Sequence, residues 1–257
     1  VAYRYLFEQM VRRELRQKYK GSALGVLWYL INPLVLMGAY YLMFGVIFRQ
    51  ASEPQYPLFL LVGLVVWVFF NQSLMSAAPS LLDHGALVRK ARFPRELIPG
   101  SVVTVQLVTF LALIAILTPI TVAIRGTLDV SLLLLPFALA CLFGFVLGLA
   151  LAVSILHAYF RDVAPILSAA LLPWFFLSPI FFEPSHLDRF SDSTVLLFVL
   201  EWVNPVAPFI VALRDVIYGG VVPEPAVLAY VLIATVLSLA GGLTLFRRMQ
   251  GELAVVV

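Results

Sequence analysis

The stretch that sets the architecture is residues 194–218, TVLLFVLEWVNPVAPFIVALRDVIY. It is apolar enough to enter a bilayer, yet it holds Glu201, Asn204, Pro205, Pro208, Arg214 and Asp215. A charged side chain at the centre of a membrane helix costs at least about 2.5–3.5 kcal/mol. Two prolines cut any helix here into pieces shorter than the roughly 20 residues a crossing needs. We read it as two short helices that dip into the membrane from the outer side and return.

Six other stretches carry no Asp, Glu, Lys or Arg and are long enough to cross: 24–48, 58–82, 97–124, 132–159, 163–182 and 226–246. Over the whole chain of 257 residues, 62% are apolar and 12% charged. A soluble domain has roughly 45–50% and about 25%, so too little charge is present to cover a water-facing surface. The fold class is therefore an all-α integral membrane protein, a single transmembrane domain over 1–257. Taking 194–218 as non-spanning gives six transmembrane helices and puts both termini on one side.

The positive charges choose that side. Arg4, Arg12, Arg13, Arg16, Lys18, Lys20, Arg89, Lys90, Arg92, Arg95, Arg161, Arg247 and Arg248 fall on one side, and Arg49, Arg125, Arg189 and Arg214 on the other. The first group marks the cytoplasm. A seventh span would carry Arg247 and Arg248 outside and weaken the bias. The basic balance is thus topological and gives no reason to expect nucleic acid as a partner.

Residues 1–21 read as an amphipathic helix lying on the inner membrane surface, with no signal-peptide pattern. Tyr3, Leu6, Phe7, Met10, Val11 and Leu15 share an apolar face, while Arg4, Glu8, Arg12 and Arg16 follow one another at four-residue steps. Glu14 and Lys18 interrupt the apolar face, either pairing with each other or meeting a partner. Gly21 and Ser22 are expected to stop this helix and cap the first span. Pro33 is expected to kink that span, and Pro165, Pro173 and Pro179 make the fifth an irregular rod.

Two inner segments stand out. Residues 83–96 (DHGALVRKARFPRE) form the longest inner loop, where 86–93 can make a short basic helix ended by Pro94. His157-Ala-Tyr-Phe-Arg-Asp162 makes an abrupt hairpin in which Arg161 and Asp162 are placed to pair. The late second span carries Asn71, Gln72, Ser73, Ser76 and Ser80, which face either other helices or a water-filled path. Gly144 and Gly148 form a small-residue seam.

The chemistry of a solitary enzyme or pump is missing from this pattern. His84, His157 and His186 lie on different segments, so no metal site is expected. No Gly-x-x-x-x-Gly-Lys-Ser/Thr occurs, so no cofactor is expected on this chain. Cys141 sits alone in an apolar run, excluding an intrachain disulfide. Aromatic residues are abundant: Trp28, Tyr29, Trp67, Phe70, Trp174, Phe175 and Phe176 either belong to interfacial belts or line a passage, where ring faces offer platforms for sugars. Arg12, Arg13, Arg16 and Lys18 either set topology and bind anionic membrane lipids or hold a phosphate-bearing lipid substrate.

The run RRELRQKYKGSALGVLWYLINPL at 12–34 resembles the start of the permease subunits of ABC type 2 polysaccharide exporters, the bacterial O-antigen, capsule and teichoic-acid exporters. Tyr-Phe-Arg-Asp at 159–162, PWFFLSPI at 173–180 and Asn204-Pro205 are similar to that family's other landmarks, in order. The resemblance implies a homodimer in the bacterial plasma membrane, two separate ATP-binding subunits carrying ATP and magnesium, and an undecaprenyl-type lipid-linked glycan as substrate. It implies that His84, Leu87, Arg89, Lys90, Arg92 and Phe93 in the loop 83–96, with Arg161 and Asp162, meet the ATPase. It also implies that the re-entrant helices within 183–225 form an outer gate. An ABC type 2 permease for a drug or small lipid is the alternative.

Overall fold

The computed structural model describes residues 2–19, 28–47, 55–90, 93–183 and 198–253, whose regular structure is entirely helical. Helix α1, Ala2–Tyr19, is the expected amphipathic element. Met10 is buried and Leu6, Phe7 and Leu15 half-buried, while Arg4, Arg12, Arg13 and Arg16 stay exposed. The expected stop and cap at Gly21 and Ser22 lie outside the described residues.

Helix α2, Trp28–Tyr40, contains Pro33 and continues as a wide-pitched turn, Tyr41–Ile47. Helix α3, Tyr56–Asp83, is the central rod, about 42 Å long at 1.5 Å per residue. Short α4, Gly85–Lys90, follows directly, so the loop helix ends before the expected Phe93. Helix α5, Leu97–Arg125, closes on Gly126, whose φ of 75° lets its N–H reach the carbonyl of Val122 at 2.9 Å. Helix α6, Leu135–Tyr159, is led in by the tight turn Val130–Leu134, and α9, Pro225–Met249, is the last long helix.

Among the described residues, four helical runs are long and apolar enough to cross a membrane: α3, α5, Val130–Tyr159 and α9. Two shorter apolar helical runs, Ile31–Ile47 and Val163–Leu177, occupy the positions of the first and fifth expected spans. The fifth differs from expectation. Helix α7, Val163–Leu177, is about 22 Å long and stops short of 182. Ser178 turns to φ −89°, ψ 146°, the extended region imposed on a residue preceding proline, here Pro179.

The segment around 194–218 behaves as its prolines require. Its described part makes a wide turn at Val199–Val203, breaks at Asn204, forms α8, Ala207–Arg214, and continues as another wide turn, Asp215–Gly219. Pro208 sits in the first turn of α8, where a missing N–H costs nothing. Val206 to Leu213 pack among α3, α6 and α9 except for half-exposed Val211. From Val206 to Leu213 the segment is therefore wrapped in protein, while Phe198, Val199 and Val203 stay exposed. Irregular backbone at membrane depth is tolerated where protein, not lipid, surrounds it.

Aromatic stacking builds the core around α3: Phe69 on Phe110 and Phe145 on Phe209, each with ring centres 4.7 Å apart. The expected glycine seam joins α6 to α9. Ser238 donates to the carbonyl of Phe145 at 2.7 Å and Thr235 to that of Cys141 at 2.8 Å, while Gly148 lies directly against Ser238 and Gly242.

Candidate functional site

A cavity of about 490 Å³ opens between α2, α3 and α7. Each wall is one helix face read at steps of three and four residues. Asn32, Leu36 and Tyr40 come from α2; Leu64, Trp67, Val68, Asn71, Gln72 and Met75 from α3; Ser168, Leu171, Leu172 and Phe175 from α7. Two surfaces meet here: aromatic rings from Tyr40, Trp67 and Phe175, and neutral hydrogen-bonding groups from Asn32, Asn71, Gln72 and Ser168. Gln72 also faces a pinhole of about 10 Å³ with Gln106 and Thr109, large enough for about one water.

The seven aromatic residues singled out above separate under this geometry. Trp67 and Phe175 line the cavity, with ring centres 5.6 Å apart. Phe70 does not: it is fully buried, with its ring 5.3 Å from Trp174 and 6.3 Å from Phe145, because its position on α3 points into the bundle. Trp174 stands behind the wall, edge-on to Trp67 at 6.4 Å. Trp28 and Phe176 are half exposed at the periphery, where the belt reading fits. Tyr29 is in α2, its side chain outside the described residues. Tyr40, in the aromatic pair Tyr40-Tyr41 that the sequence offers for a belt or a passage, lines the cavity; Asn32 and Ser168 were missed by sequence reasoning, although Asn32 shares a face with Leu36 and Tyr40 at four-residue spacing.

At one end of the bundle, α1 is joined to the long helices. Glu14 Oε1 lies 3.2 Å from His84 Nε2, and His84 Nδ1 lies 2.9 Å from the carbonyl of Ser80. Lys18 donates to Gln106 Oε1 at 2.6 Å, and Gln106 Nε2 donates to Ser76 at 3.1 Å. Glu14 and Lys18, which interrupt the apolar face, thus each hold a partner on another helix. Reduced hydration brings the Lys18 ammonium down to about 8. The candidate phosphate ligands Arg12, Arg13, Arg16 and Lys18 are all exposed, with Arg12 paired to Glu8 at 2.5 Å and the Lys18 head turned toward Gln106. The lone amide Gln106 in a charge-free span was a readable signal and was missed.

Of the loop residues expected to meet an ATPase, Arg89 is exposed, and Leu87 and Phe93 pack beside buried Val88. His84 is engaged by Glu14. The side chain of Lys90 and all of Arg92 lie outside the described residues. Arg95 donates to the carbonyl of Gln250, tying the loop to the end of α9. At the second hairpin, Arg161 and Asp162 are both exposed and form no ion pair among the described residues. The expected lock is made by others: Tyr159 donates to the carbonyl of Met249 at 2.5 Å, and the Ala164 N–H donates to His157 Nδ1 at 3.3 Å.

On the opposite side, two side chains fasten the α8 segment to the end of α7. Asn204 bonds Trp174, Leu177, Ser178 and Val206, and Arg214 donates to the carbonyl of Ile180 at 3.2 Å with its guanidinium 3.7 Å from the ring centre of Phe59. Tyr56, at the start of α3, holds the stretch after α7 from another helix, donating to the carbonyl of Phe181 at 2.7 Å.

Apolar helices of membrane length, a basic surface helix and a cavity walled by rings and amides define a multi-pass α-helical membrane protein with a polar-lined recess. More narrowly, the chain belongs to the ABC-2 type transporter family, whose family model matches residues 5–218. Its members are membrane permeases, and membership implies pairing with ATP-binding subunits. The chain is 29% identical to the O-antigen export system permease protein RfbA of Myxococcus xanthus over 98% of this chain and 95% of that one. It is 27% identical to the protein of that name from Klebsiella pneumoniae, over 97% and 95%. To the polysialic acid transport protein KpsM of Escherichia coli it is 25% identical, over 93% and 92%.

Proposed function

We propose that this chain is the membrane-spanning subunit of an ATP-driven exporter of a lipid-linked envelope polysaccharide, such as O-antigen, teichoic acid or a similar glycan, in a bacterial plasma membrane. It crosses six times with both termini cytoplasmic, and two copies sit above two ATP-binding subunits that hold ATP and magnesium. The observation that carries this reading is the cavity between α2, α3 and α7. Ring faces accept the C–H faces of sugars, and the amides of Asn32, Asn71 and Gln72 both donate to and accept from hydroxyls. The names of the relatives point to the same substrate class.

Six crossings need α7 to count as one. Its short length is compatible with that, because Asn204 and Arg214 donate to the carbonyls of Leu177 and Ile180, which therefore face protein and not lipid. The exposed guanidinium groups of Arg12, Arg13 and Arg16 on α1 suit a lipid pyrophosphate at the inner leaflet. Movement of the ATP-binding subunits reaches α4 and the hairpin at Arg161 and Asp162. Glu14–His84 then links the junction of α3 and α4 to α1, and Lys18–Gln106–Ser76 links α1 to α5 and α3, one turn from Gln72 in the cavity wall.

The test is to tag this chain, identify the ATP-binding subunit that co-purifies, and determine which lipid-linked glycan accumulates in the inner leaflet on depletion. Recovery of no ATP-binding subunit would overturn the assembly. Accumulation of a drug-like or small-lipid substrate with no glycan would overturn the substrate.

A further inference from the structure

We propose that Asn204 is a positioning residue that ties the re-entrant α8 segment to the aromatic wall of the cavity through the Trp174 indole, so that segment and wall shift together when the path opens. The inference rests on the reading of the cavity as the path.

Asn204 is 8% exposed and uses its whole amide. Its Oδ1 accepts from Trp174 Nε1 at 2.8 Å and from the Val206 N–H at 3.1 Å. Its Nδ2 donates to Ser178 Oγ at 3.0 Å and to the carbonyl of Leu177 at 3.2 Å. An amide offers two donors and two good acceptor positions, so none is left over. Two N–H donors face one end and two oxygens the other, which fixes the amide's orientation. Pro205 holds Asn204 extended at φ −74°, ψ 106°.

A local turn explains only the bond to Val206. The bond to Trp174 spans 30 residues and fixes the one polar atom of an indole. That indole stands edge-on to Phe70 at 5.3 Å and to Trp67 at 6.4 Å, and Trp67 lines the cavity. Packed aromatic faces transmit displacement because interiors have little slack. The path of influence is therefore Asn204 to Trp174 to Trp67. Arg214 fastens the same segment independently, through the carbonyl of Ile180 and the ring of Phe59. Loss of Asn204 therefore leaves the segment attached but frees the indole.

The test uses the complete exporter with its ATP-binding subunits, comparing Asn204→Ala, Trp174→Phe and the double variant for glycan exported per ATP hydrolysed, normalised to assembled complex. Each single variant should lose about fivefold, the scale of one neutral hydrogen bond, and the double variant should lose no more. Asn204→Asp, which keeps the acceptor for the indole, should recover part of the loss. Losses that multiply in the double variant, or that vanish once assembly is normalised, overturn the proposal. Trp67→Ala separates the two layers. If it abolishes export while the singles multiply, only this inference fails; if it leaves export untouched, the path reading fails and this inference with it.

Discussion

Replacing Gly148 by alanine should separate α6 from α9. A Cβ at Gly148 would overlap the backbone carbonyl of Ser238, and one at Gly242 would overlap the carbonyl oxygen of Gly148, so the two backbones already touch. Restoring ordinary contact, 3.4 Å or more, requires the helices to part by about 1 Å. That movement stretches the bonds from Ser238 to Phe145 and from Thr235 to Cys141, now 2.7 and 2.8 Å, past hydrogen-bonding range. Each interhelical bond in a membrane is worth about 0.6 kcal/mol, and overpacking costs about 1–3 kcal/mol. The sum is about 2–4 kcal/mol. Gly241→Ala is the control: it lies on α9 beside Gly242, a Cβ there meets nothing within 4 Å, and alanine favours helix. Reversible unfolding in mixed micelles compares the two directly. If Gly148→Ala unfolds within about 0.5 kcal/mol of Gly241→Ala, the seam is not the close contact described, and the reasoning fails.

Four further expectations follow from the geometry. Phe70→Ala should destabilise by about 3–5 kcal/mol while Trp67→Ala, at the cavity wall, should reduce export more than stability; equal thermal shifts with equal export would contradict the separation. His84→Ala should lower export per ATP hydrolysed about threefold, the scale of one hydrogen bond, without releasing the ATP-binding subunit, as read by co-purification, since its tie to Glu14 joins α1 to the junction of α3 and α4. For Lys18, a base whose folded value of about 8 lies below its unfolded value, the unfolded state holds more protons between the two. The parent should therefore gain stability as pH rises from about 8 toward 10.5, and Lys18→Met should flatten that rise in a thermal melt. Arg161→Ala, at an exposed and unpaired tip, should leave the melt unchanged and impair export or assembly; normal export would remove the hairpin from the coupling surface.

The long helices were legible because a charge-free run of membrane length has one stable solution in lipid. The bounds expected for α3, α5 and α9 fall within a few residues of those observed. The two irregular places were legible as irregular, through Pro205, Pro208 and Pro179, but their geometry was not. Where α7 ends depends on whether Asn204 and Arg214, far along the chain, can donate to the carbonyls there. The site was harder to read for a related reason. Trp67 and Phe70 are three residues apart on the same helix and look alike in sequence, yet one lines the cavity and the other is sealed. Only the placement of α7 and α6 decides which side of α3 is open. Glu14 and Lys18 were visible as intruders on an apolar face, while their partners, His84 and Gln106, were 70 and 88 residues away.

The scarcity of charge in the spans bears on how such a protein moves a polar polymer. A path built from charged groups would carry a desolvation cost in every conformation that closes it. Rings and neutral amides carry less, because an amide buried in the closed state can be satisfied by another amide or by a helix carbonyl. Asn204, Gln106 and Ser80 show this within the bundle: each finds a partner in protein. Asn71 and Gln72 sit on the same helix as Ser76 and Ser80 but face the cavity. One helix thus carries both uses of polar side chains, locking toward its inner end and exposed to the recess one turn further on. Sliding or rotation of α3 by a fraction of a turn would exchange these environments at small electrostatic cost, and α3 is joined through Ser76 and Gln106 to Lys18 of the basic helix α1.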